Sequence, residues 1–214
     1  VESVAANYVG AVRTVQPDGP YLLGGWSTGG VVAFEMARQL HALRQEVALV
    51  ALLDSAAPGD KDHVQNDIST LLAGFAVNLG VPMNLLLAAP DELLGSGTKT
   101  QLNWVLDRAR GAQVLSPDVS IEDLRRWFDL YLADIEVVEN YRPQATPIPL
   151  LLLRASDPAD YEVENPEPAT GWSRLSSHEL EVHSVPGDHL TMMRPPHVST
   201  LAKILRKQFS QAVK

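Results

Sequence analysis

The stretch YLLGGWSTGGVVAFEMA, residues 21–37, decides the fold of this chain. Its first residues are apolar and favour a short strand, and from Val31 onward apolar residues recur at helical spacing. Between the two lies a group of glycines that surrounds one serine, Ser27. The stretch therefore predicts a strand that turns sharply into a helix.

The segments on either side extend this pattern. Residues 2–15 have the spacing of a helix, and EVALVALL, residues 46–53, is a nearly continuous apolar strand. Continuous rather than alternating apolar residues indicate a sheet that is covered on both faces. The order helix, strand, helix, strand predicts an α/β fold with a mostly parallel sheet and right-handed crossovers.

The middle of the chain is helical, and the sheet resumes after it. Ser120 and Asp123 have the spacing of a capping box at the start of one middle helix. Further strands are predicted at residues 147–156 and 178–185, separated by an acidic loop without clear structure at 157–171. The prediction is one domain in three parts, namely a first core part at 1–59, a helical insertion at 60–145 and a second core part at 146–214.

Composition excludes several classes of function. The chain has 214 residues, a formal net charge of −9 and no basic cluster, which argues against nucleic-acid binding. No apolar run approaches the roughly 20 residues that a membrane helix needs. There are no cysteines, the histidines lack ligand spacing and no phosphate-binding glycine loop is present, so we expect no metal and no bound cofactor. A cytoplasmic location is the default expectation.

Gly25 to Gly29 form a G-x-S-x-G motif at the predicted strand-to-helix turn. In a nucleophile elbow the serine occupies a strained turn, and the residues two positions away must be small, which Gly25 and Gly29 satisfy. The backbone N–H of Thr28 would then donate to the oxyanion of an acyl-transfer intermediate. The alternative is an ordinary glycine-rich turn in which serine is common.

A nucleophilic serine needs a base, and the base needs an acid that orients it. Asp54 directly follows the apolar strand at 46–53, and Asp157 holds an equivalent position after a later strand. Catalytic groups gather at such carboxyl ends in open α/β sheets. We favour Asp54 and keep Asp157 as the alternative acid, although an aspartate after a strand is most often a turn or cap residue.

His189 is the candidate base among six histidines, because it lies in the loop between the last strand and the last helix. This position fits the chain order of serine, acid and histidine in enzymes with a nucleophile elbow. The other five are expected to be structural, exposed or near helix ends: His41, His63, His178, His183 and His197.

Three stretches carry a resemblance to a known family: GPYLLGGWSTGGVVAFEMARQL, VALVALLDSAAP and VPGDHLTMM. They resemble the thioesterase domains of nonribosomal peptide and polyketide synthases, which have an α/β-hydrolase fold with a helical lid. The resemblance implies that Ser27 is the nucleophile, His189 the base and Asp54 the orienting acid. It also implies that an upstream carrier domain delivers an acyl or peptidyl chain on phosphopantetheine, and that hydrolysis or macrocyclisation releases this chain.

In the family, strands precede the first helix, and a loop after one of them supplies the second oxyanion donor. We therefore expect this sequence to be a piece of a longer polypeptide in which that segment was lost or omitted, or is provided by another chain. With Thr28 as the one donor, the oxyanion hole of this piece is expected to be incomplete. Two other classes of function stay open. One is a stand-alone proofreading thioesterase or small-ester esterase, and the other is a non-catalytic binding module of the same fold.

Overall fold

The computed structural model describes residues 1–58, 68–87, 89, 93, 95–157 and 168–213. It divides into two compact units. The sheet unit comprises residues 1–62 and 137–214, and the helical unit comprises residues 63–136. None of the described helices is long and apolar enough to cross a membrane.

The sheet unit alternates helices and strands as the apolar patterns predict. Its elements in chain order are α1 Glu2–Val15, β1 Tyr21–Trp26, α2 Thr28–Ala42, β2 Val47–Leu53, β3 Leu150–Ala155, α7 Pro168–Ser173, β4 Glu181–Val185, a 3₁₀ turn Thr191–Met193 and α8 Val198–Ala212. The predicted helices and strands of this unit are confirmed to within a few residues at their ends.

The four strands form one sheet in the order β1-β2-β3-β4. All three pairings are parallel, and Trp26 lies opposite Leu53, which in turn lies opposite Leu153. The carboxyl ends of β1, β2 and β3 therefore meet at one edge of the sheet. No described strand pairs with the outer side of β1, and the expected contribution of a further segment there stays a prediction.

The apolar run of β3 is divided between two cores. Leu150 and Leu152 belong to a cluster that includes residues of α1 and α2, whereas Leu151 and Leu153 belong to a cluster with residues of α8. Successive side chains of a strand point to opposite faces, so a strand covered on both faces needs apolar residues at every position. This is why β2 and β3 read as continuous rather than alternating apolar segments.

The first and last described helices of the helical unit meet through aromatic side chains. Its elements are α3 Ile68–Leu79, α4 Met83–Leu86, α5 Thr98–Gly111 and α6 Ile121–Glu139, the last of which crosses the boundary between the units. Phe75 and Phe128 are buried, and their ring centroids are 5.2 Å apart. The short helix α4 was not predicted.

The predicted capping box is present at the start of α6. The Ser120 N–H donates to the Asp123 carboxylate at 3.0 Å, and the Asp123 N–H donates to the Ser120 hydroxyl oxygen at 3.1 Å. These reciprocal bonds satisfy two backbone donors that have no partner within the helix.

The helical unit ends before the predicted insertion does. Tyr141 lies within the predicted range 60–145, but it is buried in the core of the sheet unit and its hydroxyl donates to the buried carboxylate of Glu35. The role of the helical unit as a lid stays a prediction.

The loop predicted at 157–171 is wrong at its end, because α7 begins at Pro168. Proline suits the first turn of a helix, because the N–H groups of that turn have no acceptor within the helix and the missing N–H of proline breaks no hydrogen bond. Residues 158–167 of that predicted loop lie outside the described residues.

Candidate active site

Ser27 lies at the turn between β1 and α2, with φ 55° and ψ −129°. Positive φ is uncommon for a residue with a side chain and indicates a strained backbone. The Ser27 N–H donates to the carbonyl of Leu53 at 2.9 Å, which continues the pairing of β1 with β2 by one residue. The serine is therefore fixed beside the end of β2.

The glycines at this turn have different roles. A Cβ on Gly25 would lie 2.0 Å from the Gly29 carbonyl oxygen, and one on Gly30 would lie 2.4 Å from the Ser55 hydroxyl oxygen. A Cβ on Gly29 would meet nothing within 4 Å. The prediction that Gly29 must be small is thus wrong, because its Cβ would point into open space; Gly25 and Gly30 are the positions that the close approach restricts.

Asp54 directly follows β2 and has a φ of 46°. Its carboxylate accepts the Ala155 N–H at 2.9 Å through Oδ1, and its Oδ2 lies 2.7 Å from Nδ1 of His189. Burial raises the pKa of Asp54, but these hydrogen bonds outweigh burial and leave the pKa below its ordinary value. An ionised carboxylate can only accept, so Nδ1 of His189 carries the proton in this bond.

The loop that carries His189 is stabilised by the residues around it. The Asp188 carboxylate accepts the N–H groups of Leu190 and Thr191 at 2.9 and 2.8 Å, and the Thr191 hydroxyl oxygen accepts the Asp188 N–H at 2.9 Å. These bonds close the backbone around His189 into one turn. The imidazole itself is mostly buried, with 15% of the side chain exposed.

Trp26, the last residue of β1, makes two contacts with His189. The two rings are stacked with centroids 4.8 Å apart and planes 26° apart. The indole N–H also donates to the backbone carbonyl of His189 at 3.0 Å. These contacts connect the strand that leads to Ser27 with the loop of His189.

Asp157, the alternative acid, has different partners. It is exposed, its carboxylate accepts the Ser156 hydroxyl at 3.0 Å and its N–H donates to the Gly187 carbonyl at 3.1 Å. The structure therefore brings Asp54, not Asp157, to the ring of His189.

The remaining candidates lie in several parts of the chain. Thr28 is the first residue of α2, where backbone N–H groups have no acceptor within the helix. His183 lies on β4 with Nε2 2.7 Å from the Glu181 carboxylate, and His197 precedes α8. His63 lies outside the described residues.

Sequence reasoning missed Trp26 and Asp188 as parts of this site. The spacing of Asp188 and Thr191 matches the reciprocal capping pattern that was recognised at Ser120 and Asp123, so this signal was available. The role of Trp26 had no comparable signal, because its partner is 163 residues away in the chain.

A serine at a strained strand-to-helix turn, beside a paired aspartate and histidine at the ends of parallel strands, defines an α/β-hydrolase-type domain. The model of the thioesterase domain family matches residues 1–209, and the chain belongs to this family. The fold and the family predicted from the resemblance are thereby confirmed.

Similar proteins are large synthases. The chain is 29% identical over 211 residues to chondramide synthase cmdD of Chondromyces crocatus, covering 95% of this chain and 5% of that protein. It is 30% identical over 213 residues to the non-reducing polyketide synthase terA of Aspergillus terreus, covering 96% of this chain and 9% of that protein. The chain thus spans a small fraction of the length of these relatives.

A solved structure agrees with this similarity. The four-domain nonribosomal peptide synthetase holo-AB3403, bound to AMP and glycine, matches with a TM-score of 0.81 and 31% identity. The match covers 97% of this chain and 16% of that chain. The chain is therefore a thioesterase domain homologous to those of nonribosomal peptide and polyketide synthases.

Proposed function

We propose that this domain releases an acyl or peptidyl chain from the phosphopantetheine arm of an upstream carrier domain through an acyl-enzyme on Ser27. The observation that carries the proposal is the 2.7 Å contact between Asp54 Oδ2 and His189 Nδ1. It lies at the end of β2, the strand whose last carbonyl accepts the Ser27 N–H. The relatives support the carrier-bound substrate, because they are multidomain synthases.

The three side chains have complementary roles in this proposal. Asp54 accepts from Nδ1 of His189 and so leaves Nε2 as the basic nitrogen. Asp54 contacts His189 at Nδ1, and Trp26, the residue that precedes Ser27, stacks on a face of the same ring. The imidazole and the serine are thereby brought to the same edge of the sheet.

In the acylation step, the Ser27 oxygen forms a bond to the thioester carbonyl carbon while Nε2 of His189 accepts the hydroxyl proton. The Thr28 N–H donates to the negative charge that develops on the carbonyl oxygen. The carbon–sulfur bond then breaks, and the proton passes from Nε2 to the leaving sulfur, which departs as the pantetheine thiol.

In the release step, water or a hydroxyl or amine of the bound chain attacks the acyl-enzyme. Its proton passes to Nε2, the new bond forms at the carbonyl carbon, and the Ser27 oxygen leaves and regains the proton. Water gives a free acid, and an internal nucleophile gives a macrocycle. The proposed chemistry uses side chains of this domain and a carrier-bound substrate, and no step calls for a further cofactor.

The test is to weigh the intact protein after incubation with an acyl-pantetheine thioester. We expect a mass increase of one acyl group on Ser27, absent in Ser27→Ala and His189→Ala and unchanged in Ser199→Ala, which removes an exposed serine of α8. Faster turnover of a carrier-bound thioester than of a free small ester would support release from a synthase. The proposal would be overturned if the protein stayed unmodified after incubation with the thioester and also after incubation with a fluorophosphonate probe.

A further inference from the structure

Trp26 is an exposed aromatic residue that contacts His189 in two ways. The residue is 36% exposed, yet its ring stacks on the imidazole of His189 and its indole N–H donates to the backbone carbonyl of the same residue. A surface indole can satisfy its N–H with water at no structural cost. Here it instead restrains both the backbone and the ring of one residue.

The bond to Asp54 restrains the imidazole at one ring atom, Nδ1. Small rotations about the side-chain bonds of His189 can still tilt the ring while this bond is kept. The stacked indole occupies one face of the ring and limits this tilt. A base has to lie within hydrogen-bond reach and in line with the proton that it accepts, so a tilt of the ring affects proton transfer directly.

The position of Trp26 in the chain gives the contact a second consequence. It immediately precedes Ser27, whereas His189 lies in a loop after β4, the strand farthest from β1 in the sheet order. Its indole N–H bond therefore connects the turn of the serine to the loop of the histidine across 163 residues of sequence.

Stacking also favours the charged state through which the reaction passes. When Nε2 accepts the proton of Ser27, the imidazole becomes a cation beside the indole ring, and aromatic faces attract cations. The attraction strengthens as proton transfer proceeds, so it acts on the transition state more than on the resting enzyme.

We propose that Trp26 is a positioning residue that holds the imidazole of His189 in the orientation in which it serves Ser27. This inference rests on the proposed function, because it assumes that His189 is the base. It assigns the residue between Gly25 and Ser27 a role that the G-x-S-x-G motif leaves open.

The test compares Trp26→Phe, which keeps an aromatic ring but removes the N–H donor, with Trp26→Leu, which removes both. We expect acylation of Ser27 by the acyl-pantetheine thioester to slow by about 10- to 100-fold in Trp26→Leu, as displaced catalytic groups typically do. The decrease should appear in kcat with KM nearly unchanged.

The acylation rate of Trp26→Phe should stay within about 5-fold of the wild-type rate, since a neutral hydrogen bond contributes only modestly. Tyr8→Leu, at an exposed aromatic residue of α1, is the matched control and should leave the rate unchanged.

A proton NMR spectrum supplies a readout that does not depend on turnover. The Nδ1 proton between His189 and Asp54 should give a downfield resonance in the wild-type protein. This resonance is assigned by its absence from the spectrum of Asp54→Asn. We expect this resonance to broaden or shift in Trp26→Leu and to persist in Trp26→Phe.

Three results would overturn the inference: wild-type acylation in Trp26→Leu, a change in KM alone, or a resonance that Trp26→Leu leaves untouched. A change in KM alone would make the indole a substrate contact instead. If wild type itself were not acylated, the proposed function would fail. The resonance would still show whether Trp26 orients the imidazole.

Discussion

The ends of β2 and β3 are neighbouring strand ends that look alike in sequence but differ in structure. Each strand contains a run of buried apolar residues, and an aspartate follows each strand. Asp54 adopts a positive φ directly after β2 and meets His189, whereas Asp157 comes two residues after β3 and bonds to its neighbour Ser156. The comparison teaches that the backbone conformation at a strand end, rather than the presence of an acid there, determines which carboxylate reaches the site.

The largest expected effect is that of Asp54→Asn on the rate of Ser27 acylation, which distinguishes Asp54 from Asp157. Asp54→Asn keeps the shape of the side chain but replaces the carboxylate that orients Nδ1 of His189. We expect acylation of Ser27 to slow by about 10³- to 10⁴-fold, as loss of the orienting acid does in serine hydrolases. Single-turnover acylation with the thioester measures this effect. A decrease below tenfold would contradict the role of Asp54.

The next prediction concerns how closely the end of β2 approaches the turn that carries Ser27. A Cβ on Gly30 would lie 2.4 Å from the hydroxyl oxygen and 2.6 Å from the Cβ of Ser55, the residue after Asp54. We expect Gly30→Ala to lower the free energy of unfolding by about 1–3 kcal/mol, since overpacking forces the backbone to shift. Urea denaturation measures this change.

The matched control for this substitution is Gly29→Ala, one position earlier on the same helix. Its Cβ would meet nothing within 4 Å. Alanine favours a helix over glycine by up to about 1 kcal/mol, so stability should stay unchanged or rise slightly. Equal destabilisation by both substitutions would show that the close approach to Ser55 is not the cause.

A third prediction uses the pH dependence of stability. The pKa of Asp54 is lower in the folded protein than its ordinary value, because the bonds from His189 and Ala155 outweigh the effect of burial. Such a group stabilises the folded state above the ordinary Asp pKa of about 3.9, and this contribution is lost as the pH falls through the folded pKa. Wild type should therefore lose stability more steeply than Asp54→Asn as the pH falls below about 5.

Urea midpoints for the two proteins at a series of pH values measure this difference. Asp123 and Asp188 also have pKa values below the ordinary range, but both proteins share them. The difference between the curves thus reports the Asp54 carboxylate together with its contact to His189. Parallel curves for the two proteins would contradict this prediction.

The smallest expected effect on the acylation rate is that of a substitution at Asp157, after β3. Asp157→Asn removes an exposed charge whose carboxylate accepts the hydroxyl of its neighbour Ser156. We expect the acylation rate to change by less than about twofold, since surface substitutions away from buried networks have small effects. Steady-state turnover of the thioester measures it, and a loss comparable to that in Asp54→Asn would make Asp157 the orienting acid instead.

Much of the fold could be predicted because its signals are local. The continuous apolar runs of β2 and β3 and the periodic runs of α1 and α2 each depend on neighbouring residues, and the structure places these elements at the predicted positions. The start of α7 at Pro168 was missed, because an acidic segment rich in proline has no helical periodicity to recognise.

The candidate site divides in the same way. The G-x-S-x-G motif, Asp54 and His189 were identified from short patterns and their order in the chain. The restriction at Gly30, the stacking of Trp26 and the bond from the Asp157 N–H to the Gly187 carbonyl depend on residues that are distant in sequence. A local sequence pattern does not indicate which distant residue will contact a given side chain in the folded protein.

The sequence by itself determined the alternation of helices and strands, the strained serine turn and the family to which the chain belongs. These follow from hydrophobic period, glycine placement and short motifs, all of which act over a few residues. Only the tertiary structure decided that His189 pairs with Asp54 rather than Asp157 and stacks on Trp26. The reason is that parallel pairing in the order β1-β2-β3-β4 and the backbone angle at each strand end determine which side chains meet.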